Sequence, residues 1–391
     1  MAKYSTSIPR VDKWLVVSVL STIIFGLWMV YSATAFKMDE MGLESSLFTL
    51  LRNDFGKQLL GVVIGGCLAV YLSSLDHESI FRNRKYVSLL TLISFVMLAL
   101  VPLIGHTAKG ATRWLLLPGF SLQPSELFKP VAVILTVFMI ANENHSLGAD
   151  QKKDWIFTSK IVALLLPFLM LIYHQPDLGT CIAITLTILG ILFYSGLHRN
   201  VFLTITTLAT SAFAGAMVLN PWRLKRIISW LAAMQDPFNI PDPTGSGHQI
   251  KQALIAVGNG GVFGVGPGNG RQKLYFLPES HTDYIFAVIG EELGFIGSLV
   301  VIAIFFFIIR RCFKIVSHAH TPFLRSLALG LTLVLVTQAL INISVVLSLM
   351  PSKGIPLPFI SYGTNSVISS LICIGILLGI SKHTKENFLP L

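Results

Sequence analysis

LPESHTDYIFAVIGEELG, running from Leu277 to Gly294, begins as a polar loop and ends inside a greasy helix. Pro278, Glu279, His281 and Asp283 come first. The apolar segment Tyr284–Ile309 that follows is long enough to cross a bilayer, which takes about 20 residues. That transition sets Asp283 at a membrane surface and carries Glu291 and Glu292 into the helix. Ionisable groups at that depth cost roughly 2.5–3.5 kcal/mol or more, so they face a protein interior or a wet cavity. A carboxylate at the mouth of such a cavity points to chemistry on a molecule that itself lives in the membrane.

The rest of the chain agrees with a membrane setting. Of 391 residues, 53% are hydrophobic and only 12% charged, against about 25% charged in soluble domains. The net charge of +10 comes largely from Lys and Arg that flank apolar segments. Orientation bias and anionic headgroups account for it, and no nucleic-acid partner is indicated. Cys67, Cys181, Cys312 and Cys373 are scattered, with no CxxC pair, so neither a disulfide framework nor a metal site is indicated. No polar stretch is long enough for a soluble domain. The expectation is one transmembrane domain over 1–391.

The first apolar run, Trp14–Val30, exceeds the roughly 7–15 residues of a signal-peptide core and more spans follow, so it reads as a retained span. Hydropathy places nine others near 56–75, 86–104, 126–141, 155–173, 178–196, 201–219, 284–309, 323–349 and 362–381. The expected fold is an all-α polytopic membrane protein of about ten transmembrane helices. With the N-terminus inside, fifteen Lys and Arg fall in cytoplasmic segments against six (Lys37, Arg52, Lys57, Lys109, Arg113, Lys353) in short outer loops. Both termini are therefore expected in the cytoplasm. The long loop 220–283, between spans 7 and 8, then lies outside. It is rich in proline and glycine, yet its HQIKQALIAVGNGG stretch is too apolar for disorder and suits a re-entrant or surface-lying helix.

Several residues there have two readings each. Asp283 is either a helix N-cap or a general base, and the two roles are compatible. In QPSELFKP, Ser125 can cap a helix, while Glu126 and Lys129 stand at i and i+3, as a structural ion pair or as part of a polar cavity with Asp283. Arg113 and Trp114 form an interface anchor or a ligand contact. Arg223, Lys225 and Arg226 touch headgroups or bind a pyrophosphate, with Lys251, Arg271 and Lys273 as possible additions from the same loop. His281 and Lys353 complete the candidate substrate-binding set. The glycine run GNGGVFGVGPGNG follows no strand and opens no Rossmann helix, so a nucleotide site is discounted. PSKGIPLPFISYG, Pro351 to Gly363, reads as a rigid outer lid. Gln338 and Asn342, a turn apart, suit interhelical hydrogen bonds of about 0.6–2 kcal/mol.

Five collinear stretches, VYSATA, GATRWLLLPGFSLQPSELFKP, QPDLGT, GHQIKQALIAVGNGGVFGVGPGNGRQKLYFLPESHTDYIFAVIGEELG and INISVVLSLMPSKGIPLPFISYG, resemble the SEDS family of peptidoglycan glycosyltransferases over nearly the whole chain. The glycine-rich approach to LPESHTD is most like the division-associated FtsW branch. The resemblance implies lipid II as substrate and undecaprenyl pyrophosphate as leaving group. It puts Asp283 in the position of the family's essential aspartate and Glu126 and Lys129 in its charged central pair. It also implies a class B penicillin-binding transpeptidase and other division proteins as partners at the inner membrane. No cofactor is implied, and a divalent cation (Mg or Mn) is left open. One departure stands out: SYGTNS, Ser361 to Ser366, replaces the family's SYGGSS, which bears on the lid's flexibility. Two other functions suit the same features: a flippase moving the lipid across the bilayer, and a non-catalytic division scaffold.

Overall fold

Helices α1 (Lys13–Glu40), α2 (Asp54–Ser73), α3 (His77–Phe81) and α4 (Arg84–Ile104) lead into a small antiparallel sheet of β1 (His106–Ala108), β2 (Ala111–Leu117) and β3 (Phe120–Leu122). There follow α5 (Pro124–Ala141), α6 (Gln151–His174), α7 (Leu178–Tyr194), α8 (Arg199–Val218), α9 (Pro221–Gln235), α10 (Ser246–Gly260), α11 (Ile285–His318), α12 (Pro322–Val346) and α13 (Thr364–Lys382). This computed structural model describes residues 11–40, 53–108, 110–117, 120–236, 240, 242 and 245–382. Lys3, Arg10, Arg52, Lys109, Lys385, Pro237, Pro241 and Pro243 lie outside them.

Among the described residues, nine helices are long and apolar enough to cross a membrane; α7, the remaining expected span, is apolar but has 17 residues. The protein is thus a mainly helical, multi-pass membrane protein. Helices α5, α12 and α13 form its centre, with 72%, 67% and 83% of their apolar windows buried, whereas α8 has only 11% buried and stands at the rim. The tightest seam joins α2 to α13. Gly61, Gly65 and Ala69 recur every four residues on α2, and a carbon added to Gly61 or Gly65 would strike Thr364 or Leu371. Gly375 meets the Ala69 backbone in the same way. Small residues at this spacing let backbones approach in lipid, where dispersion contacts replace the hydrophobic drive.

Two parts depart from the sequence reading. The segment before α5, expected as loop, is a sheet in which the Thr107 and Thr112 hydroxyls pair at 2.7 Å across β1 and β2. The long loop 220–283 carries two helices, since α9 joins the expected α10.

Helix α11 is broken at Gly294, whose φ is 68° and ψ −163°. In an unbroken helix the amides of Phe295 and Ile296 would bond the carbonyls of Glu291 and Glu292. Here the glycine-rich loop supplies partners for all four groups. Phe295 N donates to Gly261 O at 2.9 Å and Ile296 N to Val262 O at 3.2 Å, while Val265 N and Gly266 N donate to Glu291 O and Glu292 O at 3.0 and 3.1 Å. The side chains complete the join. Glu291 accepts from Arg271 N and Gln272 N, and Glu292 from Gly268 N, Ser32 Oγ and Lys273 Nζ. This gives the two buried carboxylates a purpose: they splice the loop into the helix.

The two ends of the described chain meet at one end of the bundle. Arg311 donates twice to Asp12, at 3.0 and 2.7 Å, and Asp12 N reaches Ser381 Oγ at 3.4 Å. Buried Asp154 ties two connections there, accepting from His145, Gly148 N and His198 N.

Candidate active site

At the opposite end a cavity of about 1050 Å³ is lined by residues from β2, α9 and the starts of α2, α5, α7 and α13, together with the loop before α11 and the lid after α12. Asp283 lines it, as do Arg113, Glu126, Arg223, Arg226, His281 and Lys353.

Asp283 is positioned through its backbone. Asn342 Nδ2 donates to Asp283 O and to Ile355 O, each at 2.8 Å, so one α12 side chain fixes both the acid and the lid. Asn342 thus bridges backbones of two loops, in place of the interhelical bond expected of it. Gln338, one turn earlier, is buried with neither amide atom hydrogen-bonded. Tyr284, not Asp283, occupies the N-cap position of α11.

The cations are arranged around the acid with different degrees of freedom. Arg113 is clamped to the Pro176 turn, donating to Gln175 O at 2.9 Å and Pro176 O at 2.6 Å. Arg223 is 7% exposed, stacked 4.7 Å from the Tyr173 ring, with Nη1 on Ala216 O. Arg226 lies 4.8 Å from the Trp222 ring and donates to Ser352 O in the lid. Burial lowers the Arg226 pKa, an effect opposed by Tyr284 and Asp283. Burial, reinforced by Arg226 and Arg223, brings Lys353 down to about 8, with Asp177 pulling the other way.

Glu126 and Lys129 pair at 2.7 Å, nearly fully buried, and only Glu126 reaches the cavity. Lys129 points below it, into a small apolar void between α5, α7 and α12. Ser125 does not cap α5; Gln123 holds that position and the Ser125 hydroxyl donates to Asp177. Asp177 caps α7, accepting from Thr180.

Four candidate cations, Lys225, Lys251, Arg271 and Lys273, lie outside the cavity lining. Lys273 is 5% exposed and bonded to Glu292 at 2.6 Å, because a buried carboxylate needs a counter-charge. Conversely, Asp54, Lys57, Tyr284 and Tyr362 line the cavity without having been singled out. Lys57 entered the sequence reading only as a loop cation in the charge count, and Asp54 not at all. Burial and Asp54 together raise the Tyr362 pKa, and the His281 ring lies tilted against Tyr362 with Nε2 3.8 Å from Asp54. Gln58 holds the lid's end, donating to Ser361 O and accepting from Gly363 N. The unusual Thr364 and Asn365 are also tied down, Thr364 to Lys57 O at 3.3 Å and Asn365 to Ser121 O at 2.7 Å. Among the described residues no group of three or more His, Cys, Asp or Glu could hold a metal ion.

Fold and cavity define a multi-pass membrane protein with a charged chamber at one end of its helix bundle. The chain belongs to the FtsW/RodA/SpoVE family, whose model, described as cell cycle protein, matches residues 13–386. It is 37% identical over 381 residues to the probable peptidoglycan glycosyltransferase FtsW of Trichlorobacter lovleyi, covering 96% of this chain and 94% of that one. It is 35% identical over 379 residues to stage V sporulation protein E of Bacillus subtilis, covering 96% and 98%. Among solved structures it is similar to a chain of a peptidoglycan synthase complex that coordinates polymerization and crosslinking (TM-score 0.74, 24% identity, 96% and 99% covered). It is also similar to the rod shape determining protein RodA of Thermus thermophilus (TM-score 0.66, 22% identity, 96% and 98% covered).

Proposed function

We propose that this protein is a peptidoglycan glycosyltransferase that polymerises lipid II at the outer face of the cytoplasmic membrane during cell division. The observation that carries the reading is Asp283 on the wall of a large chamber that also presents Arg113, Arg223, Arg226 and Lys353, alongside Asp54, Glu126, Asp177 and Glu279. Asp283 takes the proton from the acceptor sugar's 4-hydroxyl. That oxygen attacks the anomeric carbon of the lipid-linked donor, and the bond to the pyrophosphate breaks with its electron pair. Undecaprenyl pyrophosphate leaves, its growing charge offset by Arg226, Arg223 and Lys353, since fixed charges in a dry site stabilise a transition state strongly. A Mg or Mn ion, were one bound, would add positive charge beside the departing pyrophosphate.

Relatives named FtsW support the division role, and likeness to a chain of a synthase complex supports a class B transpeptidase partner. The bias of Lys and Arg supports cytoplasmic termini. Asp283→Asn keeps the size of the side chain and removes the base. In a purified lipid II polymerisation assay the folded variant should make no glycan strands. Full activity would overturn the assignment, and loss of lipid translocation in vesicles with polymerisation intact would favour a flippase.

A further inference from the structure

Beyond the chamber, the tip of the glycine-rich loop presents bare apolar surface: Val262 is 56% exposed, Phe263 80% and Val265 41%. We propose that this tip is inserted in the bilayer leaflet at the cavity end of the bundle, with lipid rather than water or another protein covering it.

Its place on α11 carries the inference. The bonds from Phe295 N to Gly261 O and from Ile296 N to Val262 O set the tip beside the first residues after the kink. Phe295 and Ile296 are themselves 64% and 45% exposed and begin an outward stripe that continues through Leu299, Ile302 and Phe306. That stripe belongs to a helix apolar and long enough to span the membrane. The tip therefore extends a lipid-facing surface.

Depth agrees. Arg310 and Arg311 mark the far boundary, Arg311 being pinned by Asp12 at the terminal end. At a rise of about 1.5 Å per residue, Phe295 lies about 22 Å from Arg310. A hydrocarbon core of about 30 Å then extends roughly 8 Å beyond Phe295 on the cavity side, and any tilt buries it deeper. This is the depth of about 5–10 Å at which interfacial segments settle. Much of the tip's backbone meets the condition lipid imposes, that polar groups be satisfied within the protein. The amides of Gly264, Val265 and Gly266 and the carbonyls of Gly261 and Val262 all have protein partners.

The test needs no turnover, so it stands or falls apart from the glycosyl-transfer reading. Cys67 is the exposed cysteine and the other three are buried, so Cys67→Ser provides the background. A nitroxide is placed at Phe263→Cys in the full chain, reconstituted alone in phosphatidylethanolamine–phosphatidylglycerol nanodiscs. Its collisions with oxygen and with an aqueous nickel chelate are compared with those at lipid-facing Ile302→Cys and at exposed Lys152→Cys. The oxygen-to-nickel ratio at 263 should approach that at 302 and exceed that at 152 several-fold. Val265→Cys repeats the measurement should the first variant fold poorly. A ratio at the level of Lys152 overturns the proposal, as does protection that appears only when a transpeptidase partner is added.

Discussion

Gly354 packs against the acid of the chamber: a methyl group on its α-carbon would stand 3.1 Å from Asp283 Oδ2. The lid thus touches the carboxylate directly, and it is held there by the Asn342 bond to Ile355. Gly354→Ala should push either lid or acid aside. The contact asks lid or acid to give by a few tenths of an ångström; since about 1 Å of misplacement costs about 100-fold in rate, polymerisation should fall by a few-fold while the melting temperature holds. An unchanged rate would mean that lid and acid are independent.

Lys353 makes the chamber sensitive to alkali. Its pKa is brought down to about 8 by burial and by Arg226 and Arg223, so it is charged below that pH and neutral above it. The KM for the lipid substrate should rise as pH passes through 8. Lys353→Arg stays cationic and should lose that limb. The effect on stability has the opposite sign: the unfolded lysine, near its ordinary 10.5, binds more protons than the folded one, so this group's contribution rises between about pH 8 and 10.5. Lysine and arginine forms should therefore diverge in melting temperature across that window.

Lys273 separates a ligand from a structural cation. Lys273→Met strands the Glu292 carboxylate, which is fully buried, and removing one partner of a buried pair costs about 3–5 kcal/mol. Thermal melting in detergent should drop markedly, and Glu292→Gln on top should recover most of the loss. A pyrophosphate ligand would instead raise KM and leave melting unmoved.

The splice at Gly294 can be probed with two glycines of the same φ. Gly264 and Gly268 both have φ of 81°, but a carbon on Gly264 would collide with the Glu292 carbonyl, whereas Gly268 faces open space. Gly268→Ala should cost only the backbone strain, about 1–3 kcal/mol. Gly264→Ala should cost more and expose the loop to limited proteolysis. Equal losses would show that the splice contributes nothing beyond the turn.

What the sequence revealed and what it concealed divide along the range of the interaction. Asp283 just ahead of an apolar helix followed from a polar stretch meeting an apolar one, and the Glu126–Lys129 pair from an i, i+3 spacing. Both are local. The splice pairs Gly261 with Phe295, and nothing in the glycine run alone marks which backbone it will meet. Lys273 resembled its neighbouring cations because Glu292, nineteen positions on, was counted as part of the helix. Asn342 looked like helix glue because its two acceptors are backbone carbonyls in separate loops. Helix α9 was missed since PWRLKRIISWLAAMQ is too polar to register as a span and its three cations drew a functional reading instead.

Because Phe295 and Ile296 complete their bonding with residues some thirty positions upstream, the glycine-rich loop and the span it joins are one inheritable unit. A chimera that took the loop from one relative and the helix from another would have to carry matching halves of that seam. Where the halves differ, a protein could be assembled from two functional parents and still have no working chamber.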